Sequence, residues 1–138
     1  MDTSSEDPQR AGFMLAGRRA LVVVDNHDGA DVLGLLLKSE GCEVCVRHDA
    51  SDLVQVVEQF SPTIVLLDIS MPGIDGYEAC RRIRAARGDT LRIVAVTGWG
   101  QADDRRHSAL AGFDYHLVKP VDFESLVSII QRPDSHLQ

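Results

Sequence analysis

Five short runs of almost uninterrupted apolar residues, ALVVVD, CEVCV, TIVLLD, RIVAVTG and YHLV, recur at near-regular spacing, and a helix-forming segment follows each. A strand with one face in water alternates apolar and polar residues, so runs that are apolar throughout need cover on both faces. Such strands, separated by helices, specify a parallel sheet sandwiched between helical layers, an α/β domain. The spacing of ADVLGLLLKSEG places Val32, Leu33, Leu36 and Leu37 on one helical stripe, with Gly41 as its stop. Leu53, Val56, Val57 and Phe60 recur at i, i+3, i+4 and i+7, and Pro62 ends that helix. GYEACRRIRAARG and FESLVSIIQ also read as helices, and ADDRRHSALAGF as a weaker one. Arg81, Arg82, Arg84 and Arg87 form a charge run, which is expected to be a solvated face.

With 138 residues and 44% hydrophobic content, the chain supports one domain with a substantial core. Residues 1–17 are polar and aperiodic, and are read as a disordered tail or an expression remnant; 18–132 form the domain and 133–138 a C-terminal tail. A net charge of −7 argues against direct nucleic-acid binding, which needs a basic face. No apolar run reaches membrane-spanning length, and the first residues lack a signal peptide's basic start and long apolar stretch. The expectation is a soluble cytoplasmic protein with no membrane partner. Cys42 and Cys45 form a C-x-x-C, but three residues apart on a strand they face opposite ways, so packing is expected of them.

Open parallel sheets bind ligands beyond the carboxyl ends of their strands. Asp25, Asp68, Thr97 and Lys119 all fall at or just past those ends. Two carboxylates brought together repel unless a cation lies between them, a role suited to Mg²⁺ with its oxygen ligands. An ammonium and a hydroxyl can each contact a phosphoryl oxygen. Carboxylate nucleophile, divalent metal, lysine and hydroxyl together suit phosphoryl transfer onto an aspartate. Nearby, His27 is expected to be exposed in a loop, and Asp28 to cap the first helix.

LLDISMPGIDGYE, VAVTGWG and GFDYHLVKPV resemble the third, fourth and fifth strand ends of response-regulator receiver domains, the phosphoacceptor modules of two-component signalling. The resemblance covers about residues 18 to 131. It implies a flavodoxin-like (βα)5 fold with strand order 2-1-3-4-5. It implies Asp68 as phosphoacceptor, taking phosphate from a histidine kinase or histidine phosphotransfer domain. Asp25, Asp68 and the Ser70 carbonyl would ligate Mg²⁺. Lys119, ahead of Pro120 in a bond usually cis in this family, would contact the phosphoryl group, and Thr97 would swing in to hydrogen-bond it. His116 holds the aromatic switch position, and Gly73 and Gly76 shape the loop after Asp68. Ser70 and Trp99 would tune how water reaches the acyl phosphate, the bulky indole slowing hydrolysis. Receivers usually end the first strand with two acids, whereas this chain has Val24-Asp25, which predicts a weakened Mg²⁺ site.

The implied function is a phosphorylation-controlled switch that alters the surface of the fourth helix, fifth strand and fifth helix, where partners or a second copy would bind. It would be no enzyme beyond assisting its own phosphorylation and dephosphorylation. The alternative is a receiver-like docking module never phosphorylated in use, to which Val24 lends weight. A small enzyme is disfavoured. DNHDGAD has a single glycine where a nucleotide-binding loop needs several, and no G-x-S-x-G elbow is present. The TGWGQADDRR to AGFDYHLVKPVD region is closest in style to receivers of hybrid sensor kinases.

Overall fold

The computed structural model describes residues 14–24, 27–49, 51–69, 75–98 and 109–132, with 27–30 as backbone only. Five strands, β1 (Arg19–Val23), β2 (Glu43–Arg47), β3 (Ile64–Asp68), β4 (Arg92–Thr97) and β5 (Tyr115–Val118), form one sheet in the order β2-β1-β3-β4-β5. All pairings are parallel. The described helices are α1 (His27–Ser39), α2 (Leu53–Phe60), α3 (Gly76–Arg87) and α4 (Phe123–Gln131). Of the predicted fourth helix, only 109–111 are described, and they are helical. This is the doubly wound α/β fold that the apolar runs imply.

Period-two alternation divides the core into two layers. Ala20, Val22, Val24, Ile64, Leu66, Val94 and Val96 face the layer closed by Leu37 of α1 and Leu126, Ile129 and Ile130 of α4. Leu21, Val23, Val65, Leu67, Ile93 and Ala95 face the other, closed by α2 and α3 through Val56, Val57, Cys80 and Ile83. Cys42 packs into the first layer and Cys45 against the second, so the two thiols diverge as expected. Burial raises the thiol of Cys42 and pushes that of Cys80 up to about 12, which suits packing groups rather than nucleophiles.

Four local expectations are corrected. On α1 the buried row is Leu33, Gly34 and Leu37, whereas Val32 (56% exposed), Leu35 (66%) and Leu36 (40%) face outward. The cause is close approach to β2: a Cβ on Gly34 would stand 3.2 Å from Val46 Cγ2, so the helix leans on its glycine side. Leu15, read as part of the N-terminal tail, instead packs in the core: it is fully buried in the first layer and its N–H donates to Glu40 O at 2.8 Å. His27 and Asp28 are the first two residues of α1, so His27 is not in a loop and Asp28 is not the cap; an acid is favourable in a first turn in any case.

The arginine run is the fourth. Arg81 and Arg82 do lie outside, paired with Glu78. Arg84 instead reaches inward from α3, donating to Gly112 O, Gly88 O and Leu91 O and pairing with Asp114 Oδ2 at 2.5 Å. Asp114 also accepts from the Ile93 N–H at 2.9 Å, so the pair ties α3, β4 and the approach to β5 together. Periodicity could not reveal this, because Arg84's partners lie in the turn after α3 and, for Gly112 and Asp114, far along the chain on the approach to β5. Arg84→Met should strand the Asp114 carboxylate and three carbonyls, lowering stability by about 3 kcal/mol in urea unfolding, whereas Arg82→Met should change it by less than about 0.5 kcal/mol.

Candidate functional site

Parallel pairing brings the carboxyl ends of β1, β3, β4 and β5 to one edge. The register pairs Val23 with Leu67, Asp68 with Val96, and Thr97 with Val118. Among the described residues, Asp68 (0% exposed) and Thr97 (6%) are the buried side chains that are polar or charged, and both lie at this edge. An ionised carboxylate out of water requires a compensating charge. Lys119 supplies it, its Nζ on Asp68 Oδ2 while its side chain stays about one-third exposed. The Lys119 backbone N–H donates to Thr97 O at 2.8 Å, which fixes the lysine beside the end of β4, and the Lys119–Pro120 bond is cis.

Thr97 has a partner of its own. Its Oγ1 lies 3.1 Å from His116 Nε2 on β5. Because Ala95 pairs with His116 and Thr97 with Val118, the two side chains are diagonal neighbours on the same face of the sheet. Thus Asp68, Thr97, His116 and Lys119 are brought together as two linked pairs. Asp25, Ser70, Gly73 and Trp99 lie outside the described residues.

Val24 continues β1 into the apolar layer of Val22, Leu66, Val96 and Leu126, and is 6% exposed. No side-chain oxygen is offered from that position. Its carbonyl oxygen accepts from the ring of His48, Nδ1 lying 3.2 Å away. Sequence reasoning passed over His48, since nothing in a lone histidine after a strand signals a bond to the neighbouring strand. A Mg²⁺ ion implied by the resemblance is tested here only through Asp68, whose buried carboxylate is the hard oxygen donor such an ion prefers. Among the described residues, no group of three His, Cys, Asp or Glu side chains could hold a metal.

The helix after Asp68 is placed by two local devices. Asp75 caps α3, its carboxylate accepting from the Tyr77 and Glu78 N–H groups at 3.0 and 3.2 Å. Gly76 lies against Ile69, where an added Cβ would be 2.6 Å from Cγ2 and 2.8 Å from Cα.

Residues 20–131 match the response regulator receiver domain, and the chain belongs to that family. It is 34% identical over 119 residues to an uncharacterized 14.6 kDa protein in the sodA1 3′ region of Leptolyngbya boryana, covering 86% of this chain and 91% of that one. Among solved structures, a CheY-like response regulator receiver domain protein from Methanospirillum hungatei superposes with a TM-score of 0.75 at 27% identity, over 83% of this chain and 90% of that one. The receiver domain of the Francisella response regulator 1452 shares the fold, with a TM-score of 0.73 at 18% identity over 83% and 93%. No described helix is long and apolar enough to cross a membrane.

Gly76→Ala should push against the Ile69 backbone, directly after Asp68. The expected outcome is a stability loss of about 1–3 kcal/mol in urea unfolding, with amide shifts in NMR spectra concentrated around Asp68 and Ile69.

Proposed function

We propose that this receiver domain accepts a phosphoryl group on Asp68 from a phosphohistidine and thereby switches a partner-binding surface. The observation that carries the reading is a fully buried carboxylate at the carboxyl edge of β3, neutralised by a lysine about one-third exposed. In the transfer, a carboxylate oxygen of Asp68 forms the new O–P bond as the donor's N–P bond breaks, and the released imidazole takes up a proton. Most of the catalysis is positioning and charge neutralisation. Lys119, already on Asp68, moves its charge to a phosphoryl oxygen, and the Thr97 hydroxyl turns to donate to another. Asp25, Asp68 and the Ser70 carbonyl would hold Mg²⁺, which supplies charge neutralisation at the transferring oxygens. Loss of a supporting carboxylate at Val24 weakens that binding. Ser70 and Trp99 tune access of water to the acyl phosphate.

The readout follows from packing. The phosphoryl group adds about −1.5 to −2 charges, drawing in Thr97 and Lys119, and His116 turns into the vacated space. The predicted fourth helix, β5 and α4 then present an altered surface to an output partner or a second copy. A histidine kinase or histidine phosphotransfer domain is the donor, in the cytoplasm. A second reading, docking without phosphorylation, rests on Val24 being buried in apolar surroundings where the family usually has an acid.

Incubation with acetyl phosphate and Mg²⁺ should raise the intact mass of the wild type by one phosphoryl group and leave Asp68→Asn unchanged. An unmodified wild type that also fails to bind beryllofluoride would favour the docking reading. Val24→Asp should tighten Mg²⁺ binding by about 10- to 100-fold, read by quenching of Trp99 fluorescence.

A further inference from the structure

We infer that His116 is a positioning residue whose ring proton decides where the Thr97 hydroxyl points, so that protonation of this histidine and phosphorylation of Asp68 favour each other. The inference rests on the phosphoacceptor reading of Asp68 and adds a proton-linked control to it.

A threonine hydroxyl has one proton to donate and lone pairs with which to accept. The Oγ1 of Thr97 is 3.1 Å from Nε2 of His116, in a site where Thr97 is almost fully buried. If Nε2 is bare, it accepts the Thr97 proton, which is then withheld from any anion on Asp68. If Nε2 carries a proton, the ring donates to Oγ1 and the threonine proton is released toward the edge where Asp68 lies. A doubly protonated ring can only donate, so proton uptake imposes the second arrangement. A phosphoryl oxygen that takes the Thr97 proton must in turn favour the ring form that gives it up, because such coupling is reciprocal.

Several charged groups among the described residues near the ring have partners of their own. Asp114, Asp122, Glu124 and Arg132 line the same open groove of about 640 Å³ as His116. Asp114 is held by Arg84 and the Ile93 N–H, and Asp122 caps α4 through the Ser125 N–H and hydroxyl. The Arg132 guanidinium lies over the Tyr115 ring, and Lys119, at the end of the strand, is on Asp68. The hydroxyl of Thr97 is a contact through which a change at Nε2 reaches the edge where Asp68 lies. A phenylalanine or tyrosine at this position would have no ring nitrogen with which to do this.

The test is titration of the His116 ring by ¹⁵N and ¹³C NMR in the full chain, with and without beryllofluoride and Mg²⁺, with His116→Phe assigning the signal. Binding of the analogue should raise the proton affinity of the ring by about 5-fold or more, the lower end of coupling between sites. In Thr97→Val, compared at beryllofluoride concentrations raised until a bound ¹⁹F signal is present, most of the rise should be lost. His116→Gln, whose amide donates without titrating, should flatten the dependence of beryllofluoride affinity on pH. Bound analogue with an unchanged ring titration, or an equal rise in Thr97→Val, overturns the inference while leaving Asp68 as phosphoacceptor. If the wild type shows neither bound analogue nor phosphorylation by acetyl phosphate, both readings fall together.

Discussion

The ion pair between Asp68 and Lys119 is the constraint around which the rest of this edge is built. A carboxylate with no solvent exposure is tolerable only beside a cation, and the cation must come from another strand, since its own is apolar from Ile64 to Leu67. Lys119 reaches Asp68 because β4 lies between β3 and β5, and the lysine backbone is bonded to the end of β4. Under the proposed function, an acyl phosphate on Asp68 would carry negative charge outward, and Lys119, already on Asp68, would follow it.

The opposite edge of the sheet is held by arginines. Arg19, the first residue of β1, donates from Nε and Nη2 to Phe60 O at the end of α2, with its guanidinium over the Phe60 ring. Arg92, the first residue of β4, donates to Ile129 O and Ile130 O and reaches Arg132 O at the end of α4. Each satisfies carbonyls that a helix terminus leaves without partners, and each places a cation where the helix dipole favours one. Arg84 does comparable work across the second layer. The starts of β1 and β4 are therefore pinned to helix ends, while the ends of β3 and β4 carry the buried polar side chains Asp68 and Thr97.

How much of the site was legible in the sequence depended on whether chemistry or contact was being read. Asp68, Thr97 and Lys119 could be named because each interrupts an apolar run at a strand's carboxyl end, and a parallel sheet collects those ends. The bond between Thr97 and His116 was not legible. It depends on the β4–β5 register, and a shift of one residue would put the two side chains on opposite faces. The inward reach of Arg84 and the outward turn of Val32 and Leu36 escaped for a related reason. A helical stripe predicts which residues share a face, but not how closely the helix approaches, and Gly34 set that here.

The order of apolar runs and helices by itself determined a parallel sheet with two covered faces, because runs of that composition cannot leave either face in water. It also determined which residues stand at the carboxyl edge, including valine rather than an acid at position 24. The tertiary structure alone decided the partners: Lys119 for Asp68, His116 for Thr97, Asp114 for Arg84, and an apolar layer around Val24. Hydrogen bonds and ion pairs act over about 3 Å. Such separations between residues distant in sequence are fixed only when register and helix packing are complete.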